Sequence, residues 1–432
     1  MQRRTAILLL LGGTSGTEAA RQLTAAGDEF LEDLCHRAFR YFLEQADPHT
    51  GLVFDRTRAD GSRVPGASRN AASIAATGFG LTALAIGAAR GWIERARAVE
   101  RVRATLRFFA RDATHERGWF FHFLDAETGR RVWQCEVSSI DTALLLAGAL
   151  AARQALDDAE ISQLVRSIWE RLDFGWMRNG DPLLLSHGWK PESGFLPGRW
   201  DRYSELPILY MLGIGSPGRP MPPQSWYAWK RPRVRYYGFS YVGDAPLFTH
   251  QYPQAWLDLR GLRDGPPSEI DYFANSVKAT RAHRAFCLGL ARQFPKSYSK
   301  NVWGITASDS VKGYVGWGGP PADAAIDPAI DGTVVPCAAG GSLMFAPDIC
   351  LPAMRSMRER FGETVYGRYG FCDAFNPTTG WIGPDVLGID AGITLLSAEN
   401  LRGGGVWQWF MRNPEIRNAL KLAGFHGAGA RG

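Results

Sequence analysis

Four carboxylates stand where a loop runs into an apolar stretch: Glu136 and Asp141 in "CEVSSIDTALLL", Glu205 in "YSELPILY" and Asp390 in "LGIDAGITLL". Taken singly, each reads as a first-turn acid that suits the positive end of a helix dipole, with Ser204 as the N-cap beside Glu205. Taken together, acids at equivalent ends of buried helices would converge at one mouth of a helical barrel. Glycoside hydrolysis needs that arrangement, with one protonated carboxyl for the leaving oxygen and another to activate water or attack. Desolvation by aromatic neighbours raises a carboxyl pKa. Glu205, after Trp200 and between Tyr203 and Tyr210, is therefore the strongest candidate for the protonated partner.

Sugar recognition also needs flat rings and uncharged or cationic donors. "PLFTHQYPQAWLDLRGLRD" offers His250, Gln251 and Tyr252, followed by Asp258 and Arg260, which read equally well as a structural ion pair. "WGITASDS" and "GYVGWGGPP" place Trp303 and Trp317 among small polar residues. Arg56 in "GLVFDRT" is a loop donor, and Tyr203 flanks the Glu205 motif. The plain alternative for each Trp is packing of its loop against the rim. The six Cys include no CxxC pair and the eight His no HExxH or HxH, so the spacing predicts no metal site. No cofactor is expected, since no Gly-rich loop has the strand-then-helix setting of a nucleotide site.

The elements that must hold these residues are helical. "EFLEDLCHRAFRYFLEQAD" puts Phe30, Leu31, Leu34, Ala38, Tyr41 and Phe42 on one face at spacings of three and four. "AASIAATGFGLTALAIGAARG", "SSIDTALLLAGALAARQA" and "ELPILYMLGIG" are apolar nearly all round, as buried helices are. Between them, "IERARAVERVRATLRFFARD" and "DAEISQLVRSIWERLDF" are amphipathic. Long segments rich in Gly, Pro, Trp and Asp join the helices at 47–70, 112–136, 177–200, 216–250, 298–347 and 367–388. Loops of that length are usually functional. The pattern predicts an all-α fold, an (α/α)6 barrel of six helical hairpins over 28–426 with its active face built by those loops. Two stacked helical domains are the alternative, but no linker divides the chain.

Composition is that of a globular protein, 45% hydrophobic and 21% charged. The net charge of +6 is scattered, with no basic stripe for nucleic acid. No run approaches the ~18 apolar residues that span a bilayer. "MQRRTAILLLLGGTSGTEAA" has the order of a secretory signal, two Arg, an apolar run, then small residues, so residues 1–27 read as a signal peptide or a disordered extension. The expected location is periplasmic or secreted, with cytoplasmic as the alternative, and the expected state is a monomer whose partner is a saccharide.

Eight motifs occur in order: "SIAATGFGLTAL", "SSIDTALLL", "YSELPILYMLGIGSP", "PLFTHQYPQAW", "WGITASDS", "DGTVVPCAAGGSLMFAPDICLPAM", "YGFCDAFNP" and "LGIDAGITLLSAENLR". They resemble the bacterial glucoamylase-like proteins of glycoside hydrolase family 144, which contains endo-β-1,2-glucanases, over roughly Glu29 to Phe425. The resemblance implies a single (α/α)6 barrel and metal-free hydrolysis of β-1,2-glucan with inversion. It implies Glu205 as general acid, with Asp141 and Glu136 lining the cleft. Asp390 as base rests on its place in the pattern, not on the family. An exo-acting β-glucosidase or disaccharide-releasing hydrolase is the alternative within enzymes, and a non-catalytic glycan-binding barrel the alternative outside them.

Overall fold

The computed structural model describes residues 28–320 and 326–427; the segment read as an export signal lies outside them. In chain order the principal helices are α1 (Glu29–Glu44), α2 (Ile74–Arg90), α3 (Arg95–Arg111), α4 (Ser139–Leu156), α5 (Ala159–Glu170), α6 (Leu206–Ile214) and α7 (Phe248–Trp256). They continue with α8 (Tyr272–Leu290), α9 (Pro336–Gly340), α10 (Pro347–Phe361), α11 (Gly388–Gly403), α12 (Gly405–Phe410) and α13 (Pro414–Leu422).

Burial divides them as the apolar patterning predicts. Every residue of α6 is buried, and α2, α4 and α11 are buried on nearly all sides. By contrast, α3 buries only Ala98, Val102, Thr105, Leu106, Phe108 and Phe109, and α5 a stripe from Ile161 to Trp169. The buried helices pack on one another: α2 on α4 and α11, α4 on α6, α6 on α7, and α11 on α7 and α9. The tightest approach is between α2 and α4, where a Cβ on Gly148 would lie 1.8 Å from the Gly78 carbonyl oxygen. Only a residue without a side chain permits that backbone contact. One continuous core runs from Phe30 to Ala423, and no helix among the described residues is long and apolar enough to cross a membrane.

Two buried helices lie in or at the end of segments read as loops. α7 starts at the end of 216–250 and contains Pro253; α9 lies within 298–347. The polar side chains of α7 hide it from a hydrophobic pattern, yet they are buried and their amide N–H groups find partners. Gln251 Nε2 donates to Ala338 O (2.9 Å) and Ser342 Oγ (2.7 Å), and Gln254 Nε2 to Tyr272 O (3.1 Å) and Ser276 Oγ (2.7 Å).

Short antiparallel strands sew neighbouring loops together just before the buried helices begin. Ala71–Ser73 pairs with Phe123–Asp125, Val137–Ser138 with Gly188–Lys190, and Asp385–Leu387 with Arg56–Arg58. The first strand of each pair runs straight into α2, α4 or α11. Each such N-terminus is thus pinned by a ladder from a loop distant in sequence. Ser73 and Ser138 then cap α2 and α4 by accepting from Ala76 N and Asp141 N, both at 3.2 Å.

Candidate active site

Glu205 occupies the N-cap position of α6 with φ −74°, yet its side chain makes no capping hydrogen bond. Ser204 Oγ takes the Leu206 N–H instead (3.4 Å), and Pro207 in the first turn removes a donor that would need a partner. The expected Ser204 N-cap with Glu205 in the first turn is thus shifted by one residue, with Glu205 at the N-cap position. Burial pushes its carboxyl up to about 7, and the negative charge of Asp141 pushes in the same direction.

Asp141 is buried in the first turn of α4, where the Ser138 hydroxyl donates to its Oδ2 (2.5 Å). His122, from the strand region before Phe123, lies between Asp141 and Glu136. Its Nδ1 is 3.0 Å from Glu136 Oε1 and its Nε2 3.5 Å from Asp141 Oδ1. Burial alone would lower the His122 pKa, but the two carboxylates outweigh it and raise it to about 9. The hydrogen bond from His122 in turn holds Glu136 down at about 2, against its own desolvation. The Phe123 ring stacks flat on the imidazole (3.9 Å, 16°), and Trp133, 45% exposed, meets Phe123 edge-on. One ligand atom from each of His122, Glu136 and Asp141 lies within 4.8 Å of the others, so these three could hold a metal ion, which sequence spacing did not announce. Both imidazole nitrogens already face carboxylates, however, and the imidazolium itself supplies the cation that the two acids need.

Asp390 sits in the first turn of α11, buried beside Asp373. Burial drives both carboxyls upward. Asp373 Oδ2 accepts from Asp309 N (2.7 Å), and Asp309 Oδ2 takes Arg56 Nη1 (2.7 Å). Arg56 also meets Asp55 (3.2 Å) and Asp385 (3.7 Å). Burial pushes the Tyr252 phenol well up, and the negative charges of Asp390 and, less strongly, Glu205 push in the same direction. Tyr314, on the hairpin of Ser308–Ser310 and Gly313–Val315, also faces Asp390 and Asp373 with its residue 56% exposed.

The structure places Asp141, Glu205 and Asp390 at the N-terminal ends of buried helices, Glu136 just ahead of the strand that leads into α4 and Tyr252 within α7, but several expected sugar contacts lie elsewhere. Trp303 and Trp317 are wholly buried, and Trp317 Nε1 donates to Ser308 Oγ (2.9 Å), so both pack their loops and offer no face to a ring. His250 is buried behind the site, with Nδ1 3.0 Å from the Tyr203 hydroxyl, and burial keeps it neutral with a pKa near 3. Tyr203 is buried too, stacked with Tyr272 (8° between planes). Gln251 ties α7 to the segment from Ala338 to Ser342. Arg56 has its donors committed to carboxylates, not to a substrate hydroxyl. Asp258 and Arg260 form the structural ion pair (2.8 Å). In the aromatic 216–245 loop, Trp226 and Trp229 are buried against Tyr272, and its hairpin rests on α8 through Tyr236 and Phe286.

His122, Asp309, Asp373 and Tyr314 are the site residues that sequence reasoning passed over. Asp309 and Asp373 stand inside the quoted motifs "WGITASDS" and "YGFCDAFNP", but neither stands at a loop-to-helix junction, the signal that marks the other acids.

The chain is 27% identical over 435 residues to the exo-β-1,2-glucooligosaccharide sophorohydrolase (non-reducing end) of Parabacteroides distasonis, with 91% of this chain aligned. It spans 58% of that relative's length. Among solved structures, the endo-β-1,2-glucanase of Chitinophaga pinensis, in complex with sophorotriose and glucose, superposes with a TM-score of 0.82 at 28% identity, covering 93% of this chain and 98% of that one. A β-1,2-glucanase from Parabacteroides distasonis gives a TM-score of 0.82 at 26% identity, covering 91% of this chain and 59% of the other. These neighbours share the helical glucoamylase-like fold. The Glycoamylase family model, described as "Putative glucoamylase", matches residues 197–414, a stretch of half the chain that holds Glu205, Asp309, Asp373 and Asp390, and the chain belongs to that family.

Proposed function

We propose that this protein hydrolyses β-1,2-linked glucan with inversion, on an (α/α)6 barrel over 28–426 whose inner helices are α2, α4, α6, α7, α9 and α11. Glu205 is the general acid and Asp390 the general base. The Glu205 proton passes to the glycosidic oxygen as the bond to the anomeric carbon breaks. A water oxygen attacks that carbon from the opposite face and gives its proton to Asp390. Glu136 and Asp141 line the cleft beside the acid. The proton inventory closes on two side chains, so no step calls for a metal.

The observation that carries this reading is the Glu205 carboxyl, at a helix start without a capping bond and poised near neutrality, with the buried Asp390 carboxyl at the start of α11. The named activities of the relatives supply the linkage. Endo action is the leading mode, supported by the aromatic 216–245 loop, whose Trp226 and Trp229 are buried against Tyr272 and whose hairpin packs on α8 through Tyr236. Exo release of a disaccharide is the second reading, favoured by the curated relative. Linear β-1,2-glucan as substrate tests all of this. A ladder of oligosaccharides indicates endo action, and sophorose alone indicates exo action. An α-anomer as first product by NMR supports inversion, and a β-anomer overturns it.

A further inference from the structure

Trp133 stands in a conformation that its residue type does not favour. Cys135 N donates to Val132 O (3.1 Å), closing a four-residue turn whose central residues, Trp133 and Gln134, have φ of +54° and +51°. Two successive left-handed residues are the mark of the mirror-image turn that Gly, Asn and Asp normally fill, and a bulky indole there is strained. The surroundings hold the turn in place. Val132 N donates to Phe123 O (3.2 Å), Arg131 Nε to Cys135 O (2.5 Å), and the Arg131 guanidinium bonds both oxygens of Glu192 (2.6 and 3.0 Å). Backbone strain that a structure supports in this way clusters at functional positions. Burial does not account for the tryptophan either, because it is 45% exposed while Trp226, Trp229, Trp303 and Trp317 are buried.

The exposed ring adjoins the acid cluster. It meets Phe123 edge-on with centroids 4.9 Å apart, Phe123 stacks on His122 at 3.9 Å, and His122 Nδ1 lies 3.0 Å from Glu136 Oε1. Resting on the reading of this site as a β-glucan cleft, we propose that Trp133 is a saccharide-binding residue: a glucose ring of the substrate lays its C–H face on the indole while a hydroxyl at its edge donates to Glu136. A glucose ring carries C–H groups on its faces and hydroxyls around its rim, so a site for it pairs a flat aromatic surface with a polar group. Glu136 gives Oε1 to His122 and its side chain stays 24% exposed, which leaves its other carboxylate oxygen for a sugar hydroxyl. The strained turn thus serves to present the ring, and the platform that Trp303 and Trp317 do not provide is found here.

Calorimetric titration with linear β-1,2-, β-1,3- and β-1,4-linked glucans tests this, in a Glu205→Gln background that binds without turnover. Trp133→Gly removes the ring and relaxes the turn, whereas Trp133→Tyr keeps a flat ring. The glycine variant should weaken glucan binding roughly fivefold to tenfold, and the tyrosine variant should stay within about threefold of the Trp133 protein. The glycine variant should also melt no lower than the Trp133 protein, because glycine accepts a left-handed backbone without steric cost. Unchanged glucan affinity in Trp133→Gly overturns the proposal, and the ring then serves only to pack on Phe123 or to meet a second copy of the chain. Weakened binding that Trp133→Tyr does not restore overturns it as well. If the glycine variant loses affinity as expected but the unmutated enzyme leaves β-1,2-glucan uncut, the binding role of Trp133 stands and the proposed reaction is what falls. A protein that binds none of the three glucans overturns both.

Discussion

The imidazole of His122 binds the Glu136 carboxylate at 3.0 Å and faces Asp141 with its other nitrogen, joining the start of α4 to a loop before it. This pair sets a pH window for stability. His122 is raised from 6.5 to about 9, so its contribution is complete below about 6.5 and is lost as pH rises through 9. Glu136 is lowered from 4.5 to about 2, so its contribution is complete above 4.5 and is lost as pH falls toward 2. The thermal midpoint of His122→Gln should therefore trail the parent most between pH 4.5 and 6.5 and converge with it above pH 9. A gap that does not vary with pH would mean that the ring acts by packing on Phe123 alone.

Glu205 must be protonated to act, so kcat/KM should fall as pH rises through about 7. Glu205→Gln should lower turnover on glucan by ~10²–10⁴ and abolish that alkaline limb. Stability should move the other way. A carboxyl whose folded pKa is raised loses stability as pH rises from its unfolded to its folded value. Above pH 7 the glutamine variant should thus melt higher than the parent. Normal turnover in Glu205→Gln would remove it from the role of acid.

Trp317 and Tyr314 lie three residues apart in sequence and make opposite predictions. Trp317 is buried and bonded to Ser308, so Trp317→Ala should cost ~3–5 kcal/mol of stability, measured by denaturant unfolding. Tyr314 is 56% exposed and faces Asp390, so Tyr314→Ala should leave stability within ~0.5 kcal/mol and raise KM for glucan. Weakened glucan binding in Trp317→Ala, without loss of stability, would restore that residue as a sugar platform.

The close approach of α2 and α4 makes Gly148 intolerant of any side chain. With the Gly78 oxygen only 1.8 Å from where the new methyl group would sit, Gly148→Ala must force the helices apart, at a cost of ~1–3 kcal/mol or more. Gly91, whose Cβ would meet nothing within 4 Å but whose φ is +75°, provides the contrast. Its alanine variant should show only the smaller strain of a left-handed backbone, about 1 kcal/mol. Equal thermal midpoints for Gly148→Ala and the parent would show that the two helices yield readily.

By itself the sequence determined the helical architecture, because burial on all sides or on one face is written directly into apolar spacing: α2, α4 and α6 are apolar all round, and α3 and α5 are striped. It also determined that Glu205, Asp141 and Asp390 stand where loops enter buried helices, since a loop-to-helix junction is a local feature. It could not reveal α7, whose Gln251 and Gln254 look like loop residues until distant carbonyls and hydroxyls accept from their amide nitrogens. Nor could it separate a buried Trp303 from an exposed Tyr314, because the same residue types serve packing and recognition, and exposure is decided by what folds over them. His122 reaches Glu136 across 14 residues, and Asp309 reaches Asp373 across 64. Such pairings exist only once strands from separate loops have been brought into register. Tertiary structure alone decided them, for charges act through distance in space and not along the chain.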